Sequence, residues 1–248
     1  MDKNDIKRII LWIALILGLI VAIITHFNND KRMKEAGFDN KRDYKISLYV
    51  NKDIENDYNH ILILTDETLE KSDIVESLSN DGYNPRIDSI IRPTLLTAIT
   101  TNTKTKHENI IMCGCTFIDY IVYNKAKSES PEDFIQLEEN VKLADLELSG
   151  LGNSRFIYII GPKYTYENNK SYEMTYEEYV EIVKERLKTA NVEYIDLSNY
   201  NAGTFNEKSI EQFNDNLVNV YYTEILSYMK KVTEKDKEEL TKFYQENL

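Results

Sequence analysis

The chain has 248 residues, 42% of them apolar, with 18 tyrosines, four prolines and eight glycines, a composition that excludes a disordered chain and a conventional flexible linker. Its formal net charge of −12 repels phosphate backbones and so excludes a general nucleic-acid binder. The same charge disfavours broad adhesion to anionic lipid, apart from one short basic stretch beside the first apolar run.

That run, residues 9–25, reads IILWIALILGLIVAIIT without a charge, and the charge-free stretch extends to Asn29. A helix rises 1.5 Å per residue, so about 20 residues cross the hydrocarbon core of a bilayer. Lys7 and Arg8 flank one end, Lys31, Arg32 and Lys34 lie beyond the other, and Trp12 suits an interface. Ala22, Ile23, Ile24, Thr25, His26 and Phe27 offer no small-residue cleavage pattern, and no cysteine closely follows. The segment therefore reads as an uncleaved signal anchor, with the lipid bilayer as partner of residues 9–25 and residues 1–27 as the anchor region. Both flanks are basic. The short N-terminus with Lys3, Lys7 and Arg8 favours a single-pass protein of the cell membrane whose following domain is extracytoplasmic.

Residues 28–44 are polar and read as a stalk, and 45–232 read as one domain. Lys45–Val50 is expected as a strand. Ile61–Leu64 is the first core strand, apolar throughout because both faces are buried. A helix over Thr68–Asn80 follows, with Leu69, Ile74, Val75 and Leu78 inward and Asp81-Gly82 as its stop. Arg86–Ile91 is expected as a strand, with a short helix from Pro93 towards Asn102, then a strand over Asn109–Cys113. Pro131–Leu148 is expected as a helix capped by Ser130.

Arg155–Ile160 is the fourth strand, closed by Gly161-Pro162. A helix over Thr175–Ala190 turns Tyr176, Tyr179, Val180, Val183 and Leu187 inward. Val192–Leu197 is the fifth strand, and Ser209–Lys231 is a long helix with an apolar stripe from Ile210 to Met229. Residues 233–248 are expected as a charged C-terminal helix. Cys113 and Cys115 have poor spacing for a mutual bridge and lack further zinc ligands nearby, so they read as buried thiols.

Alternating strands and helices predict an α/β fold, three-layer and doubly wound (flavodoxin-like), with a mostly parallel five-stranded sheet. Its site belongs at the carboxyl ends of the strands, in the loops that start at Thr65, Gly114, Gly161 and Ser198.

The order of these blocks resembles the SGNH (GDSL-like) hydrolase family over roughly residues 60–232. In that family the first strand ends in Gly-Asp-Ser, the third in Gly-x-Asn-Asp, and an Asp-x-x-His precedes the last helix. Here ILILTDET places Thr65, Asp66 and Glu67 at the first motif. NIIMCGCTFIDY keeps Gly114 and places Thr116 and Phe117 at the second. The resemblance implies an SGNH-like sheet, ester hydrolysis or acyl transfer on glycans or lipids, and, for anchored members, partnership with membrane O-acyltransferases. It implies ligand-binding positions at Thr65, Asp66, Glu67, Gly114, Thr116 and Gly161. The catalytic candidates are Asp66, Glu67 and Thr116. No cofactor and no metal are expected.

The histidines oppose catalysis. Serine ester chemistry needs an imidazole to take the serine proton and return it. The three histidines are His26, His60 and His107, none of them in the C-terminal segment where the family supplies its base. Asp66 and Glu67, with help from Asp119 or Asp196, suit a divalent cation, or they are merely a helix N-terminal charge pair. The tyrosine-rich segment 164–179 suits a glycan- or peptide-binding surface or a divided core. Three functions follow: a noncatalytic accessory or binding protein in cell-envelope glycan or lipid modification, an esterase or O-acyltransferase with a rewired site, or a structural component of a membrane assembly.

Overall fold

The computed structural model describes residues 3–65, 67–89, 107–113, 116, 120, 123–124, 154–166, 174–189, 191–205 and 210–248. The expected helices over Pro131–Leu148 and after Pro93 lie outside the described residues. The chain forms two compact units, one made of Met1–Lys52 with Lys237–Leu248, the other of Asp53–Asp236.

The first unit begins with α1 (Lys3–Glu35), a single helix whose apolar residues from Leu11 to Phe27 stand exposed. It is long and apolar enough to cross a membrane. The helix does not end with the apolar run but continues through Met33 to Glu35. Gly37 stops it at a φ of 81°, where the Gly37 and Phe38 amides return to the Lys34 and Met33 carbonyls. The expected polar stalk is therefore largely helical.

Asn40 opens α2 (Lys41–Asp53), its side-chain oxygen accepting the Asp43 amide at 2.9 Å. The strand expected at Lys45–Val50 is thus a helix. Its two buried residues, Ile46 and Val50, are four apart, which is a helical repeat and not an alternation. Within the same unit, Tyr49 stacks on Tyr244 at 5.3 Å and Arg42 donates to the Gln245 carbonyl at 2.6 Å.

The second unit is built on an all-parallel five-stranded sheet. Its strands are β1 (His60–Thr65), β2 (Asn84–Ser89), β3 (Asn109–Met112), β4 (Arg155–Ile160) and β6 (Glu193–Asp196). They lie in the order β2-β1-β3-β4-β6. Pro85 is tolerated because β2 is an edge strand and owes no amide hydrogen bond on its outer side. The continuous apolar runs of β1, β3 and β4 follow from burial on both faces.

Ile61, Ile63, Ile111, Ile157 and Ile159 pack with Leu78, Leu217, Tyr221, Ile225 and Met229. The alternate residues Leu62, Leu64, Ile110, Met112, Tyr158 and Ile160 pack with Tyr176, Tyr179, Val183 and Leu187. Each fully buried Leu or Ile contributes roughly 1.5–3 kcal/mol relative to exposure.

Three local departures from expectation have plain causes. The helix expected over Thr68–Asn80 is two pieces, α3 (Glu67–Glu70) and α4 (Ile74–Asn80). Between them the Ser72 hydroxyl and amide both bond the Leu69 carbonyl, which stops the helical ladder. After α5 (Tyr176–Thr189), the last helix α6 runs unbroken from Ile210 to Asn247, since no Gly or Pro interrupts it; the separate terminal helix over 233–248 is its continuation. The loops after β4 and β6 contain two further strands, β5 (Lys163–Tyr166) and β7 (Asn201–Phe205), paired in parallel as a small second sheet.

The amino-terminal edge of the large sheet is a polar lattice. Arg155 grips Asp236 of α6 with both terminal nitrogens, one at 2.8 Å, and also reaches the Asn109 side-chain oxygen at 3.3 Å. The Asn109 amide in turn donates to the Tyr58 and His60 carbonyls, each at 3.1 Å. Arg86 holds Glu108 through two bonds of 2.8 and 3.1 Å. Asp236 is 2% exposed and Arg155 32% as side chains.

Removing the carboxylate leaves a half-buried guanidinium without its charge partner, so Asp236→Ala is expected to cost about 3 kcal/mol. Urea unfolding of the full chain in detergent measures this. Burial also pushes the neighbouring Tyr228 phenol up to about 12, with the Glu193 and Asp236 charges adding and Arg155 opposing. The unfolded phenol ionises near about 10, so the stability it contributes is full below that pH and is lost as pH rises towards the folded value. Tyr228→Phe is expected to flatten this alkaline loss in urea midpoints taken across that range.

Candidate functional site

In a parallel sheet of this order the chain leaves β1 towards β2 on one side and continues through β3 on the other. The strand order reverses between β1 and β3, and the carboxyl ends of such a pair are where a sheet of this order would place a binding crevice. The Cys113 amide bonds the Leu64 carbonyl at 3.0 Å and ties the two strand ends together. Thr65, the last residue of β1, is fully buried, and its hydroxyl has no hydrogen-bond partner among the described residues. Burying a hydroxyl without a partner costs about 1–3 kcal/mol, so this group is one that a ligand or ordered water would satisfy.

Thr116, just beyond β3, is also fully buried but well partnered. Its hydroxyl accepts the Gly161 amide at 2.9 Å and lies 3.2 Å from the Tyr158 hydroxyl. The Tyr176 hydroxyl donates to the Gly161 carbonyl at 2.7 Å. A Cβ on Gly161 would stand 2.9 Å from the Tyr221 hydroxyl oxygen and 3.6 Å from the Thr116 hydroxyl oxygen. Glycine is required here by close approach and not by backbone dihedral. Thr116 and Gly161, both candidates by sequence, thus meet in the structure, within a tyrosine cage that motif spacing missed. The available signal was Tyr158, the polar-tipped residue in the apolar run RFIYII, whose hydroxyl needs a partner once the strand is buried.

Other candidates divide differently. Glu67 is the first residue of α3, a helix of only four residues. Asp66, Gly114, Cys115 and Asp119 lie outside the described residues. Cys113 is buried, 1% exposed. Tyr176 and Tyr179 belong to the core, so that part of the tyrosine-rich segment is not a binding surface. Among the described residues no group of three His, Cys, Asp or Glu side chains could hold a metal.

At the end of β6, Asp196 accepts both the Ser198 hydroxyl at 2.6 Å and the Ser198 amide at 2.9 Å, and its other oxygen lies 2.7 Å from the Lys184 ammonium. Burial works against ionisation of Asp196, but the bonds from Lys184 and Ser198 outweigh it and hold the carboxyl below its usual value. The Lys184 ammonium is raised above its usual value, chiefly by Asp196 and then Glu181. Neither group is a base suited to activating Ser198. The arrangement is a turn closure.

Within the sheet unit, His60 and His107 lie at the strand starts, opposite the carboxyl ends of β1 and β3. His60 opens β1 at the amino-terminal edge, with Nε2 2.9 Å from the Asn56 carbonyl and Nδ1 3.0 Å from the Asn84 amide nitrogen. His107 stacks on Tyr58 at 4.4 Å before β3 begins. His26 lies on α1 in the other unit, 3.3 Å from the Lys41 ammonium.

The Gly161 packing yields a direct test. Gly161→Ala is expected to destabilise the full chain by about 1–3 kcal/mol, because the buried Tyr221 ring cannot swing aside. Removing the Tyr221 hydroxyl with Tyr221→Phe should recover part of the loss. A double-mutant cycle by chemical unfolding measures the coupling.

No protein-family model, no curated protein and no solved structure matches this chain.

Proposed function

We propose that this chain is a membrane-anchored SGNH-like domain, three-layer and doubly wound, that serves as a noncatalytic accessory or binding protein in cell-envelope glycan or lipid modification. The strand order and the two core clusters that share the sheet residues alternately support that architecture. The short basic N-terminus ahead of α1 supports an extracytoplasmic domain. The observation that carries the noncatalytic reading is the placement of imidazoles: His60 and His107 lie at the amino-terminal edge of the sheet and His26 on the anchor helix. An ester hydrolase of the serine type requires one at the opposite edge.

The partner in this reading is an envelope glycan or a membrane O-acyltransferase. The buried Thr65 hydroxyl at the crevice supports a ligand with hydroxyl or carbonyl groups. The same hydroxyl favours a second reading, a rewired esterase or O-acyltransferase in which Thr65 helps to bind substrate while Asp66, Glu67 and Thr116 act on it.

Ester turnover separates the two. The full chain in detergent is expected to hydrolyse neither an activated acetyl ester nor acetylated glycans above background, with or without divalent metal. Glu67→Ala and Asp66→Ala proteins run beside it. Turnover that disappears in the Glu67→Ala protein would establish the rewired enzyme and remove the accessory reading.

A further inference from the structure

The outer face of α2 carries a pattern that neither the anchor nor the crevice explains. Between Lys31 and Lys52 the chain has seven basic and three acidic side chains, in a protein whose net charge is −12. The basic residues are not scattered. Lys41, Lys45, Leu48 and Lys52 are spaced four, three and four apart, which places all four on one face of α2 within roughly 60° of arc. All four are exposed, Leu48 at 51%, whereas Ile46 and Val50 on the opposite face are buried. Lys45 and Lys52 have no acidic partner among the described residues, and Lys45 lies 5.7 Å from the Tyr49 ring centre. An aliphatic residue flanked by ammonium groups and a half-exposed tyrosine is the composition of an interfacial helix face.

The position of that face relative to the bilayer is set within the same unit. The Lys41 ammonium is 3.0 Å from Asp30 and 3.3 Å from His26 Nδ1, and His26 directly follows the apolar run that ends at Thr25. The basic face therefore begins at the rim of the membrane-crossing segment. A soluble acidic protein could meet such a face anywhere, but in a bilayer crossed by residues 9–25 lipid phosphates would lie beside its first lysine.

We propose that the Lys41–Lys45–Leu48–Lys52 face of α2 docks on the phosphate headgroups of anionic phospholipids around the anchor. The acidic remainder of the chain is repelled by the same lipids, so attraction is confined to this collar. The lipid contact holds α2 against the end of α1 and adds to the Lys41–Asp30 bridge, which by itself is exposed and weak.

The test uses full-length protein in nanodiscs of phosphatidylcholine alone and of phosphatidylcholine doped with phosphatidylglycerol, with amide exchange of α2 as the readout. The anionic discs are expected to slow exchange across Lys41–Asp53 by up to about a hundredfold, given that each of the three lysines near an anionic surface contributes about fivefold. High salt should abolish the slowing, since contacts at an exposed surface are screened. The Lys45→Gln, Lys52→Gln double variant changes only exposed residues and should lose most of the effect while matching wild type in neutral discs. Equal exchange in the two lipids would overturn the proposal, as would slowing that survives both high salt and the double substitution. Inorganic phosphate slowing exchange in neutral discs to the same extent would remove the lipid as the source. An added acidic peptide acting in neutral discs, without any response to anionic lipid, would assign the face to a protein partner.

Discussion

Arg155, at the start of β4, binds Asp236 of α6 on one side and Asn109 of β3 on the other, and Asn109 reaches back to the carbonyls that open β1. Three parallel strands and the longest helix are thereby held in one register at the amino-terminal edge. A parallel sheet cannot set its register through tight hairpins, because each connection is a crossover. Side-chain lattices at the strand starts therefore take that role. Once β1, β3 and β4 are aligned, their carboxyl ends are aligned too. Thr65, Thr116 and Gly161 then fall at one edge of the sheet.

The two edges of the sheet are chemically unlike. The amino-terminal edge is charged and densely paired: Arg86 with Glu108, Arg155 with Asp236, His60 with Asn56 and Asn84. The carboxyl-terminal edge carries hydroxyls, with Thr116, Tyr158 and Tyr176 closing on the Gly161 peptide and Thr65 without a partner among the described residues. A network that is complete stabilises and orders its surroundings, whereas an unsatisfied buried hydroxyl is a standing cost that binding relieves. The histidines His60 and His107 belong to the amino-terminal edge, and the hydroxyls Thr65 and Thr116 to the carboxyl-terminal one.

The strands and the N-terminal apolar helix were legible because their signals are dense and local. ILIL, NIIM and RFIYII are apolar throughout, as burial on both faces requires, and the uninterrupted apolar run at the N-terminus gives a helix long enough to cross a membrane. Short segments with mixed signals were not legible. Lys45–Val50 alternates well enough to suggest a strand, yet the pair Ile46 and Val50 needs a helix to reach one face. The break between α3 and α4 depends on one serine bonding a carbonyl three residues back, a competition that periodicity does not record.

What the amino-acid sequence determined by itself was the apolar core strands β1, β3 and β4, the N-terminal apolar helix and the absence of an imidazole in the C-terminal segment, since all depend on residue type and local order. The tertiary structure alone decided the β2-β1-β3-β4-β6 order, the β5–β7 pair formed by two distant loops, and the continuity of α6 from the sheet unit into the anchor unit. It also decided which hydroxyls found partners. Each of these is a choice among pairings of residues far apart in the chain, and such choices are settled by packing and hydrogen-bond completion, which residue order leaves open.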